Sequence, residues 1–119
     1  MNFSPGEINI ICMDIQRSLH FYRNILGFEV IEQEGDAVHL RAETHQFLLL
    51  PVADETASSA HYCQQATFSV DLMVDDLKAA YDYLADAGVR FERNWQSNAR
   101  SFIIRDPDEL VWEIIQRRD

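Results

Sequence analysis

The chain has 119 residues, 47% of them apolar, with 20 carboxylates against 10 basic groups and a net charge of −10. That length supports one compact domain with a real core, and no apolar run approaches the ~20 residues of a membrane-spanning helix. Lys78 is the sole lysine among the bases, the rest being arginine, and the acidic surplus repels nucleic acid and anionic lipid while attracting cations.

Met1 to Glu7 has neither the basic start nor the apolar stretch of a secretory signal. Glu7 to Cys12 reads as a strand: β-branched residues dominate, and Ile8, Ile10 and Cys12 share one face. Cys12 therefore reads as a small core residue and not as a disulfide partner of Cys63, which fits a cytoplasmic protein. Asp14 is placed to cap a helix, its carboxylate accepting the free amide protons of the first turn. Ile15, Leu19, Tyr22 and Leu26 form an amphipathic stripe, and Gly27 is placed for the left-handed residue that ends the helix. Phe28 to Glu34 extends, Gly35-Asp36 turns, Ala37 to Ala42 alternates, and a second turn at Glu43 to His45 leads into Gln46 to Pro51. Residues 53–65 lack an apolar period and read as a linker.

The order then repeats. Ser69 to Val74 is a strand, Asp76 caps a helix bearing Leu77, Ala80, Tyr81 and Leu84, and Gly88 stops it. Val89 to Arg93 extends, Trp95 to Asn98 is a loop, Arg100 to Arg105 a strand, Asp106 to Glu109 a turn, and Leu110 to Gln116 the last strand. Ile8 falls on Val70, Ile10 on Leu72 and Asp14 on Asp76, and Gly27 meets Gly88 once one residue is dropped before the glycines. The expected fold is α+β: two tandem βαβββ modules, about 7–52 and 66–116, in a single domain spanning 1–119.

The residues Asp14-x-x-x-Ser18-x-x-Phe21-Tyr22-x-x-x-Leu26-Gly27-Phe28, Val74-Asp75-Asp76-Leu77, Ala87-Gly88-Val89 and Asp106-Pro107-Asp108 followed by Glu113 resemble the vicinal oxygen chelate superfamily of glyoxalases, bleomycin-resistance proteins and extradiol dioxygenases. The resemblance covers essentially the whole chain. It implies curved mixed sheets around a cup, commonly in a homodimer. In metal-dependent members, each module supplies ligands from its first and last strands. On those positions this chain carries Glu7, Leu49 (give or take one residue), Ser69 and Glu113. Leucine cannot bind a metal and a neutral hydroxyl is a poor ligand, whereas a divalent ion wants three or more convergent donors. No metal cofactor is therefore expected; if one binds, Glu7 and Glu113 are its ligands.

Strand alternation places Glu7, Asn9 and Ile11, Ser69, Asp71 and Met73, and Val111, Glu113 and Ile115 on the face away from the helices. His39 and Arg41 share the same parity on the third strand. Glu7, Asp71 and Glu113 are then candidate cation-binding groups, or partners of Arg41 and Arg100 in ion pairs. Met73 and Leu49 supply apolar wall. Trp112 belongs to the core or a dimer interface, and Trp95 is either a ligand-stacking group or a loop plug. The ligand-binding set is thus Glu7, Asn9, His39, Arg41, Leu49, Ser69, Asp71, Met73, Trp95, Arg100 and Glu113. The function expected is metal-free sequestration of a cationic or aromatic antibiotic-like small molecule, as in the bleomycin-resistance branch, by a homodimer that binds neither nucleic acid nor membrane. The alternative is a metal-dependent glyoxalase or lyase, a fosfomycin-type transferase or a dioxygenase with an atypical ligand set and one divalent ion.

Overall fold

The computed structural model describes residues 1–58 and 64–118; Cys63 and His61 lie outside the described residues. The chain divides into two compact units, Met1–Thr56 and Ala57–Asp119. The first contains β1 (Ile8–Ile11), α1 (Ile15–Leu19, continued by a π-helical stretch His20–Ile25), β2 (Glu29–Glu34), β3 (Ala37–Ala42) and β4 (His45–Leu50). The second contains β5 (Val70–Val74), α2 (Leu77–Asp86), β6 (Arg90–Arg93), β7 (Ser101–Arg105) and β8 (Val111–Gln116). The sheets are four-stranded, ordered β1-β4-β3-β2 and β5-β8-β7-β6. In both, the first strand runs parallel to the last and the other pairs are antiparallel. This is the α+β arrangement of two tandem βαβββ modules with open, mixed sheets.

The same local chemistry sets both helices. The Asp14 carboxylate accepts from the amides of Gln16 at 2.9 Å and Arg17 at 3.2 Å, and that of Asp76 from the amide of Ala79 at 3.1 Å. Such caps are worth about 1 kcal/mol each. Gly27 (φ 81°) and Gly88 (φ 78°) take the left-handed conformation after the helices, where a side chain would be strained. The helices differ in one way. In the first, the Leu26 amide donates to the Phe21 carbonyl five residues back at 2.9 Å, whereas at the end of α2 the Ala87 amide reaches back four residues to Tyr83 at 3.1 Å. The wider π turn absorbs the extra residue that separates Asp14 from Gly27. The second strand of each module also carries a bulge at a matching place, between Val30 and Glu32 and between Phe91 and Arg93, leaving Ile31 and Glu92 as the inserted residues.

Alternation divides each sheet into two faces. Ile10, Cys12, Val38, Leu40, Phe47 and Leu49 are buried on the first sheet together with Leu19, Phe21 and Tyr22 of its helix. The Phe28 and Phe47 rings stack at 5.1 Å in that core. In the second unit Phe102, Ile104, Trp112 and Ile114 are buried with Leu77 and Leu84 of α2. Trp112 is a core residue. Among the described residues, no helix is long and apolar enough to cross a membrane.

Candidate functional site

The face of each sheet turned away from its helix carries the polar side chains. In the first module β1 pairs with β4 so that Asn9 stands opposite Leu48, and β3 pairs with β4 so that His39 stands opposite Leu48 from the other side. In the second, Asp71 stands opposite Glu113, and Glu113 opposite Ile103. The counterpart of Glu113 in the first module is therefore Leu48, not Leu49. Leu49 is 0% exposed and paired with Ile10 and Val38 in the helix-side core, so it cannot serve as ligand-contacting wall. The off-by-one arises because the Ala42–His45 hairpin turn is shorter than the Asp106–Leu110 turn and carries no Asp-Pro-Asp landmark.

A hydrogen-bonded trio occupies the open face of the first module. His39 Nδ1 lies 2.6 Å from Glu7 Oε2, and its Nε2 lies 3.2 Å from Glu34 Oε1 on β2. The hydrogen bond to Glu7, then that to Glu34, raises the His39 pKa above its ordinary 6.5, against a smaller lowering from desolvation. Arg41 does not pair with Glu7 among the described residues. Its Nη2 donates to Glu29 on the adjacent edge strand at 3.0 Å. Asn9 is exposed on this face.

The second module has its own trio. Arg93 Nη2 donates to Ser101 Oγ at 2.5 Å, and the Ser101 hydroxyl donates to Glu113 Oε2 at 2.7 Å. Arg93 also approaches Glu113 at 3.6 Å, too far for a hydrogen bond but close enough for charge attraction. Neither Arg93 nor Ser101 belongs to the set expected from the sequence; alternation along β7 places Ser101 on the Ile103 and Glu113 face. Asp71 is exposed on the same face, opposite Glu113, with no ion pair among the described residues. Like charges directly opposed across strands repel. Met73, 52% exposed, follows on β5 opposite Ile115. Ser69 is exposed just before β5.

Two further candidates lie elsewhere. Trp95 packs beside Tyr81 of α2, ring centroids 6.1 Å apart, in an aromatic group with Phe91 and the fully buried Phe102. Its indole N–H donates to the Ala99 carbonyl at 3.2 Å and closes the loop. Trp95 thus sits on the helix side of its sheet and not on the open face. Arg100 is exposed, and its carbonyl accepts from the Gln116 amide; its side chain makes no ion pair with Asp71 or Glu113 among the described residues.

The four positions from which metal-dependent relatives draw ligands read Glu7, Leu48, Ser69 and Glu113. Glu7 already meets His39, and Glu113 already accepts from Ser101. Leu48 offers no donor atom. In neither unit do these residues supply the three or more O, N or S ligands that a tightly chelated divalent ion needs. Among the described residues, no group of three or more His, Cys, Asp or Glu is arranged to hold one.

Comparison with known proteins agrees with the fold. The chain is 28% identical to the uncharacterized protein YraH of Bacillus subtilis over 122 residues, covering 91% of this chain and 94% of that protein. The fosfomycin resistance protein FosX of Listeria monocytogenes, solved with Mn(II) and sulfate, superimposes with a TM-score of 0.73 at 15% identity, over 99% of this chain and 93% of that one. The lactoylglutathione lyase of Agrobacterium tumefaciens gives 0.68 at 18% identity, over 95% and 92%. At such identities the superpositions establish the architecture alone. The family assignment rests on a match over residues 4–114, nearly the whole chain: this protein belongs to the Glyoxalase/Bleomycin resistance protein/Dioxygenase superfamily.

Proposed function

We propose that this member of the superfamily binds a cationic small molecule with an apolar body, without a bound metal ion, and withholds it without making or breaking a bond. The observation that carries the reading is the pairing of Asp71 with Glu113 on the open face of the second module, beside the exposed thioether of Met73 and the side chain of Ile115. Opposed carboxylates repel until a cation lies between or over them. The apolar neighbours give such a ligand surface to bury. The leucine and serine at two of the four ligand positions support metal independence. Trp95 packs on Tyr81 and bonds within its own loop, so we define the ligand by charge and apolar area without aromatic stacking on that residue. A homodimer in the cytoplasm is part of the same proposal, and antibiotic sequestration is its most economical biological form.

Calorimetric titration of chelator-treated protein with benzamidinium and larger amphipathic cations tests the reading. Saturable binding is expected, unchanged by added Mn(II), Ni(II) or Zn(II), and weakened at least about tenfold by Asp71→Asn or Glu113→Gln, the loss of one close charge contact. The absence of saturable binding by any such cation overturns it, as does a turnover activity restored by metal. Sedimentation of the same samples tests the dimer.

A further inference from the structure

The Glu113 carboxylate is not vacant. Its Oε2 accepts a hydrogen bond from the Ser101 hydroxyl, and the Ser101 oxygen in turn accepts from Arg93. Because the Arg93 N–H takes up acceptor capacity on Ser101, the hydroxyl proton is directed at Glu113. Arg93 stands on the edge strand β6, opposite Ile103, which itself stands opposite Glu113, so all three share the open face. The Arg93 side chain is 53% exposed and meets Glu113 at 3.6 Å, through charge without a direct hydrogen bond. An exposed arginine held in this way is easily moved by a ligand. Asp71, on the other side of Glu113, has no such counter-charge among the described residues.

We infer that Arg93 is an intramolecular competitor for Glu113 and thereby sets the class of cation that the site accepts. The inference rests on the proposed cation-binding role of this face. A ligand that displaces Arg93 must replace two things: its positive charge near Glu113 and its N–H donor to Ser101. A primary ammonium or an amidinium supplies both. A quaternary ammonium supplies the charge alone, and if Arg93 stays in place the two cations repel. The site therefore selects N–H-bearing organic monocations over fully alkylated ones of similar size.

The test compares benzamidinium with benzyltrimethylammonium by calorimetry on the wild-type chain and on Arg93→Met and Arg93→Lys. Arg93→Met keeps an apolar stem and removes the charge; Arg93→Lys keeps the charge and a donor. In the wild type, benzamidinium is expected to bind about tenfold more tightly than benzyltrimethylammonium, the scale of one charge-assisted hydrogen bond. In Arg93→Met both affinities rise, by about threefold for benzamidinium and about tenfold for the quaternary ion, so the preference narrows. Arg93→Lys restores most of it. Thermal unfolding of each variant checks that the exposed position tolerates the change. Wild-type binding that is unaltered or weakened in Arg93→Met overturns the inference and leaves the cation-binding role intact. Failure of all three chains to bind either cation overturns the cation-binding role and the inference with it.

Discussion

His39 Nδ1 lies 2.6 Å from Glu7 Oε2, joining the inner strand β3 to the residue that precedes the edge strand β1. β1 and β3 do not pair directly, since β4 runs between them. The contact therefore ties the chain N-terminal to β1 onto the open face, above the apolar side chain of Leu48.

The His39 pairing gives stability a pH dependence. Its pKa is raised above 6.5 in the folded chain, by the hydrogen bond to Glu7 first and to Glu34 second. A raised pKa stabilises the fold fully at pH values below 6.5, where the imidazole is protonated whether folded or not, and the benefit is lost as pH rises through the folded-state value. The melting temperature of the wild type is expected to exceed that of His39→Gln near pH 6 and to converge on it at higher pH. A difference that grows with pH contradicts the assignment.

Ser18 is fully buried in α1, and its hydroxyl has no hydrogen-bond partner among the described residues. Ser18→Ala removes an unpaired polar atom and improves helix propensity. An increase in unfolding free energy of about 1 kcal/mol is expected by urea denaturation. A loss of similar size shows that the hydroxyl is paired.

Asp106 is buried in the β7–β8 turn, where Oδ1 accepts from the amides of Asp108 at 2.8 Å and Leu110 at 2.9 Å. Asp106→Ala strands two amides and is expected to cost about 3 kcal/mol, read from the shift in denaturation midpoint at constant slope. Asp106→Asn, whose amide oxygen can still accept, recovers part of that loss.

Trp95 packs with Tyr81 and bonds the Ala99 carbonyl. Trp95→Leu is expected to lower stability by about 1–2 kcal/mol through lost packing and the lost loop bond. Its affinity for benzamidinium stays within about twofold of the wild type, since one bulky change remote from a site leaves contacts there additive. A tenfold loss of affinity with unchanged stability returns Trp95 to the ligand.

Much of this architecture was readable in advance because the signals were local. Asp14 and Asp76 cap where their side chains must, and alternation in β1, β5 and β8 separates Ile10 from Asn9 and Ile114 from Glu113. Legibility ends where local signals stop. A hairpin of unmarked length leaves the choice between Leu48 and Leu49 open by one residue, and strand pairing decides it. Trp95 lies in a loop, where strand parity says nothing about direction, and its place is set by the distant ring of Tyr81. The bulges at Ile31 and Glu92 leave no mark in composition, yet the one at Glu92 fixes where Arg93 reaches. The trio of Arg93, Ser101 and Glu113 spans three strands, so it appears only once β6, β7 and β8 are laid side by side.

The π-helical stretch His20–Ile25 gives the first module a tolerance for length that its sheet has only at the Val30–Glu32 bulge. Without a bulge, an added residue in a strand turns every later side chain to the wrong face. An added residue in this helix is taken up within one wide turn, and Gly27, Phe28 and the strand that follows stay in step with Gly88, Val89 and theirs. The helix is thus a buffer between halves of unequal length, and a chain built this way can drift in size there while the register of its open sheet faces stays untouched.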